Sequence, residues 1–503
     1  MRRCALIRFQ NKKIRKWNSL EQKNVIGYII RSAVQKILFL SKSRWKEGSI
    51  VKTHAQAASQ MTEGPIWKRI LYFALPLMVG NLFQQLYNTV DSIVVGNFVG
   101  KESLAAVGTV DPVINTFIGF FLGMSAGAGV VISQYFGAKD DRRVSRAVHT
   151  TIAMTLILCV VCTVGALLAL PALLKLIGTP SDVYPESKTY LTIYFAGVTG
   201  LLLYNMGSGI LRAAGDSKRP LYFLIFSTLI NIVFDLLFVA GLRLGVAGAA
   251  YATILAQGLS ALLVLYVLTK ETESYRIRWR ELTIDPVLLR QIVKIGLPSA
   301  LQMMITSFSN VFVQAYINHF GSSVMAGWSS YGKIDKICLL PMQSIALSVT
   351  TFTGQNLGAG KVDRCRKGTR VALCMSVAVA VALIFPIWFF ATPLVSLFNH
   401  DPEVLKYGTL IVRLMMPFYV AICFNQVYSS TMQGAGNTKV PVIIMLCSFI
   451  VFRQLYLFIA SRVSDSFIPI ALGYPLGWIV CSIFQVLYYR TVNLEKYRLT
   501  KTE

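Results

Sequence analysis

The sequence predicts an all-α integral membrane protein of twelve transmembrane helices arranged as two homologous six-helix lobes. Three observations carry that prediction. Of 503 residues, 54% are hydrophobic and 14% charged, with a mean hydropathy of +0.57. That balance excludes a soluble multidomain enzyme and leaves room for about a dozen spans of roughly 20 residues. Twelve apolar stretches of that length follow one another between residues 67 and 489. Finally, separate motifs recur at one offset of 221 residues. Gly100 returns as Gly321, Gln134-Tyr-Phe-Gly-Ala as Gln355-Asn-Leu-Gly-Ala, and Gly215-Asp-Ser-Lys-Arg-Pro as Gly436-Asn-Thr-Lys-Val-Pro, the mark of an internal repeat.

The chain opens with a basic extension, residues 1–63. Its first 60 residues hold 14 Lys/Arg and two acids, and Met61-Thr-Glu-Gly-Pro65 resembles an ordinary start ahead of helix 1. The extension is therefore expected to be either untranslated or a dispensable membrane-surface segment. The N-lobe, 64–268, follows. Helix 1 (67–96) carries Asn81, Gln84, Gln85, Asn88 and Asp91 at steps of three and four, one polar face that must meet protein or water. Gln84 and Asn88 are expected to line a cleft, while Asp91, an acid more than a turn from any base, asks for a functional account. Helix 2 (107–135) has Asp111-Pro112 and a stripe of Gly119, Gly123 and Gly127 that suits close helix packing. Helices 3 (147–174) and 4 (189–211) are mainly apolar. In helix 5 (220–241) Thr228, Asn231 and Asp235 share a face, and helix 6 (246–268) offers Thr253 with Gln257 one turn on.

A polar linker, 269–287, contains Lys270, Arg276, Arg278 and Arg280 and reads as a cytoplasmic connection, either an amphipathic surface helix or a solvated tether. The C-lobe, 288–490, begins with helix 7 (288–317), which holds Gln302, Thr306 and Asn310, with Gln302 and Asn310 expected to line the cleft. Helix 8 (325–354) holds Lys333, Asp335 and Lys336. Helices 9 (370–396), 10 (406–431), 11 (439–460) and 12 (467–489) lead into a tail, 491–503. Arg413 is near enough to a helix end to snorkel, whereas Arg453, beside Gln454, lies deeper and is expected either to contact substrate or to close a structural bond. The offset maps Asp235 to Tyr456 and Asn231 to Phe452. These carboxylates therefore belong to the N-terminal half, an asymmetry that favours a coupling site there. The same offset sets Asp111 against Gly332, next to Lys333. Asp111, Lys333 and Lys336 become a candidate outer gate, with pairing to Asp335 inside one lobe as the alternative.

The 49 Lys+Arg outnumber the 23 Asp+Glu, giving +26. Lys and Arg cluster in the N-terminal extension, in the connections after helices 2, 4, 6 and 8, and in the tail, which places both termini in the cytoplasm. The excess is what orientation in a membrane requires, and no nucleic-acid partner is expected. The nine cysteines read as small residues of a reduced protein, seven of them in apolar runs. Four dispersed His offer no metal-ligand spacing, and no Gly-x-Ser-x-Gly nucleophile pattern occurs. The nearest phosphate-loop look-alike, Gly354 to Val362, misses the spacing by one and has no Ser/Thr after Lys361. With no cofactor or catalytic set in view, a secondary transporter driven by an ion gradient remains. Because each half has six helices, the halves share one orientation, and the transport path is expected between them. A non-transporting receptor or scaffold would explain the helices but not the acids inside them.

Several motifs together resemble the multidrug and toxic compound extrusion (MATE) family, prokaryotic branch. They are Pro76, the Tyr87-Asn-Thr-Val-Asp91-Ser-Ile-Val-Val-Gly96 segment, Gln134-x-x-Gly-Ala, Leu211-Arg-Ala-Ala-Gly-Asp-Ser, Asn231-x-x-x-Asp235 and Gln355-Asn-Leu-Gly-Ala-Gly. The resemblance covers about 64 to 490. It implies a plasma-membrane antiporter, expected to act as a monomer, that exports amphipathic, often cationic compounds in exchange for Na+ or H+. Asp91 then matches the helix 1 acid of the family, and Asn231, Asp235 and Thr253 match the N-lobe cation-site positions of one branch. The branch with acids in helices 7 and 10 is not matched, which puts a C-lobe cation site in doubt. A lipid-linked saccharide flippase of the same superfamily is the alternative within transport.

Overall fold

The computed structural model describes residues 59–500; the expectations for residues 1–58 lie outside the described residues. Twelve helical spans follow one another: α1 (Ile66–Phe98), α2 (Lys101–Gly137), α3 (Asp141–Leu176), α4 (Tyr184–Ala196 and Val198–Ala213), α5 (Lys218–Gly241), α6 (Gly245–Lys270), α7 (Pro286–Asn318), α8 (Ser322–Gly358), α9 (Val362–Phe389, then Ala391–Ser396), α10 (Pro402–Gly434), α11 (Lys439–Val463) and α12 (Phe467–Thr491). Several starts are set by local chemistry. Asp140, Asp285 and Asp401 each accept hydrogen bonds from the first free amides of α3, α7 and α10, as N-cap residues do. Ten of the spans are long and apolar enough by composition to cross a membrane, and the bent α4 makes eleven. Helix α7 falls short on that measure, its middle carrying Ser299, Gln302, Thr306, Ser309 and Asn310.

Three spans depart from simple helices. Helix α4 bends by 47° at Gly197, where a Cβ would lie 2.5 Å from the Ile254 side chain of α6; only glycine permits that approach. Helices α5 and α11 each contain a π turn, Leu236–Gly241 and Cys447–Phe452. The first begins directly after Asp235 and the second ends directly before Arg453. A π turn inserts an extra residue and re-aims the side chains beside it.

Two apolar cores each stay within one lobe. One gathers residues of α1 to α6 such as Val95, Phe121, Phe195 and Ala249. The other gathers α7 to α12 residues such as Val313, Tyr331, Tyr419 and Ile470. Two further cores cross between the lobes, at the end of the molecule where the basic connections lie. One packs α2 against Ile292, Ile295 and Ala300 of α7, and the other packs α1 against Ile345, Val349 and Phe352 of α8. The glycine stripe makes the α2–α7 crossing close. A Cβ on Gly123 would lie 2.3 Å from the Ala300 nitrogen, and one on Gly127 2.5 Å from Gly296 Cα.

The repeated glutamines lock the same seam. Gln134 Nε2 donates to Ala435 O at the end of α10 (3.0 Å), and Gln355 Nε2 donates to Ala213 O at the end of α4 (2.7 Å). Each crosses to the opposite lobe and satisfies a helix-terminal carbonyl. The tail joins them: Leu499 N donates to Gln134 Oε1 (3.0 Å) and Thr500 Oγ1 to Gly358 O (3.3 Å). Met61 is buried in the α1–α8 core, and its carbonyl accepts from Asn356 Nδ2 at 3.1 Å.

The linker is neither an amphipathic helix nor a solvated tether. It is irregular, with a turn closed by Arg276 N donating to Glu273 O (3.0 Å) and a short 3-10 turn, Trp279–Glu281. Tyr275 and Ile277 are buried in the cross-lobe core while Arg276 and Arg278 alternate outward. It is pinned by Arg278 N donating to His149 Nε2 (3.0 Å) and by Glu271 pairing with Arg219. A two-residue alternation of apolar and basic side chains suits an extended segment on a surface rather than a helix.

Candidate functional site

Between the lobes lies a cavity of about 810 Å³ lined from both of them. The cross-lobe hydrogen bonds and cores described above sit at the basic end and close the cavity there. Gln84, Tyr87, Thr253 and Gln257 form part of the N-lobe wall. Tyr87 donates its hydroxyl proton to Thr253 Oγ1 at 3.0 Å, tying α1 to α6.

Behind that wall, off the cavity lining, lie the acids. Asp235 and Asn231 are fully buried and Asp91 is 8% exposed. Asp91 lies within electrostatic range of Asp235, and both lie within range of Tyr87. Asp91 Oδ1, both Asp235 carboxylate oxygens and both Asn231 amide atoms are buried without a hydrogen-bond partner. A buried polar atom left so costs about 1–3 kcal/mol, more when charged. Five in one pocket make a site that gains from a proton or a small cation. Asp91, Asn231, Asp235 and Thr253 supply hard oxygens that suit either.

The C-lobe wall is built differently. Arg453 is 3% exposed. Its Nη2 donates to Ser309 Oγ (2.9 Å) and Asn310 Oδ1 (3.1 Å), and its guanidinium lies over the Tyr474 ring at 4.6 Å. Asp335 accepts from the hydroxyls of Tyr331 (3.2 Å) and Tyr419.

Of the residues expected from sequence, Gln84, Thr253, Gln302, Asn310 and Arg453 line the cavity. Asn88 does not: its side chain is exposed off that lining, because Tyr87 and Gln84 take the inward positions of α1. Asp111, Lys333 and Lys336 are exposed, and no ion pair joins them among the described residues, although Lys336 lies within electrostatic range of Asp111 across the lobes; Lys333 sits over the Phe398 ring of its own lobe at 4.9 Å. Arg413 is exposed and stacks over Trp388. Sequence reasoning passed over Tyr87, and it used Asp335 only as a partner for lysines. The four-residue spacing of Tyr331 and Asp335 on one helix face was the available signal.

A family model described as MatE matches residues 76–237 and again 298–459. The chain is 29% identical over 439 residues to the probable multidrug resistance protein YpnP of Bacillus subtilis (strain 168), covering 86% of this chain and 97% of that one. It superposes with a TM-score of 0.82 and 27% identity on the outward-facing conformation of a multidrug resistance MATE family transporter of the MOP superfamily, covering 88% of this chain and 99% of that one. A MOP superfamily transporter from Pyrococcus furiosus, described as having a binding pocket of reversed polarity, matches at 0.82 and 26%, with the same coverage. Two repeats of six helices, a cleft between them and a family model that matches each repeat in turn make one conclusion: the chain belongs to the MatE family of multidrug efflux transporters, which are secondary transporters of the membrane and not enzymes.

Proposed function

We propose that the protein is a Na+- or H+-coupled antiporter that exports amphipathic, often cationic organic compounds across the plasma membrane of a prokaryote by alternating access, working as a monomer with both termini in the cytoplasm. One observation carries the coupling: five buried polar atoms of Asp91, Asn231 and Asp235 without partners. Ionised, the two acids favour capture of a cationic substrate in the adjoining cleft. Neutralised by a proton, or by Na+ held with the Asn231 and Thr253 oxygens, they favour rearrangement of the N-lobe and release. Exchange follows because ion and substrate each weaken the binding of the other. With the basic end cytoplasmic, the seam that joins the lobes lies on the cytoplasmic side of the cleft.

Purified protein in liposomes, preloaded with rhodamine 123, tests this under an imposed Na+ gradient and an imposed pH gradient, each alone. Dye movement driven by one of them is expected. Movement of labelled lipid instead would support the flippase reading, and movement of nothing under either gradient would overturn transport.

A further inference from the structure

We infer that the C-lobe wall of the cavity holds an oxyanion-binding subsite centred on Arg453, so that the transporter takes aromatic compounds bearing a carboxylate, sulfonate or phosphate. Arg453 is 97% buried, from its 3% exposure, yet no carboxylate among the described residues lies within ion-pair distance of it. Its hydrogen bonds go to the neutral Ser309 and Asn310 through Nη2, while its Nε is buried with no partner. A buried cation left without a counter-charge is costly, and the cost is relieved by an anion entering the cavity that the side chain lines.

The surroundings narrow the chemistry. The charged residues on the cavity lining are Arg212, Asp335 and Arg453. Asp335 is already held by the hydroxyls of Tyr331 and Tyr419, and Asp91 and Asp235 stand behind the lining, so the lining itself is net positive. Tyr474 and Trp478, 6.1 Å apart and tilted edge to face, line the same wall and offer ring surface to an aromatic body. A guanidinium is the group best matched to the fork of an oxyanion. The π turn that ends at Phe452 sets Arg453 on this inner face, where the equivalent position of α5, Ile232 by the 221-residue offset, has no charge.

The assignment deepens the export reading and rests on it for transport, but it is tested by binding alone. Fluorescein and rhodamine 123 share a xanthene ring system and carry opposite charge. Fluorescence anisotropy with detergent-purified, monodisperse protein should show fluorescein binding to the wild type. Arg453→Gln should weaken it by about tenfold or more, the worth of one charge-assisted hydrogen bond, with rhodamine 123 binding kept or improved. Arg453→Lys, which keeps the charge and loses the fork, should fall between. Equal loss of both dyes in a folded Gln variant, or no fluorescein binding by the wild type, would overturn the subsite. Should the Gln variant fail to fold, wild-type binding of fluorescein decides. Intact Arg453-dependent binding without gradient-driven movement would count against antiport and leave the subsite standing; the reverse would do the opposite.

Discussion

Asp235 is fully buried with neither carboxylate oxygen partnered. If the Asp91–Asp235 pair exchanges its charge with the substrate, the ion must weaken binding of a cationic dye. With H+ as the ion, the dissociation constant of rhodamine 123 should rise on acidification, approaching about tenfold per pH unit for one competing proton. With Na+ as the ion, added Na+ at constant pH should do the same. Asp235→Asn should flatten whichever dependence exists, and a dependence of wild-type steepness in that variant would count against the pair. The polar faces that carry these acids were legible in sequence, because polar residues recur at three and four positions inside apolar spans. Asn88 lay on that same face and yet is off the cavity. Spacing gives a face about 100° wide, and only packing decides which of its residues turn inward. Arg453 was legible as a base inside a span, with its partner undecided, because the residues around it, Ser309, Asn310 and Tyr474, come from two other helices.

The α2–α7 crossing and the two glutamine ties together hold the basic end shut. Adding a side chain at Gly127 would press on Gly296, and overpacking of this kind costs about 1–3 kcal/mol. Gly127→Val should therefore shift the equilibrium away from the state closed at the basic end. Spin labels at Ser181→Cys and His400→Cys, in loops of the opposite end, should then show shorter distances than in the parent protein; an unchanged distribution would mean that the crossing does not set the balance. Double replacement of Gln134 and Gln355 by Ala should act in the same direction, because two buried cross-lobe hydrogen bonds are worth about 1 kcal/mol each. The twelve spans and the stripe were readable from hydropathy and from glycine at steps of four. The bend at Gly197, the two π turns and the irregular linker were not. A single glycine in an apolar span looks ordinary until Ile254 is known to press on it, and a π turn leaves no mark in composition.

As a whole the molecule is two six-helix repeats joined at the basic end around a central cavity, an arrangement suited to rocking of rigid lobes about a central site. If Asp111 and Lys333 meet when the outer side closes, Asp111→Cys and Lys333→Cys should crosslink only under conditions that close it. Failure to crosslink under any condition would remove the gate. Because Met61 packs into the α1–α8 core, expression from Met61 should give full transport, and a large loss would assign a role to the residues before it. The central claim is that the buried acids of the N-lobe couple ion to substrate. Its most direct test is gradient-driven rhodamine 123 efflux from liposomes containing Asp91→Asn or Asp235→Asn protein, with reconstituted amounts matched to the wild type. Both variants keep size and lose ionisation, so efflux should collapse while folding and membrane insertion persist; efflux by both at the wild-type rate, with the same ion dependence, would contradict the account and return the two acids to a structural role.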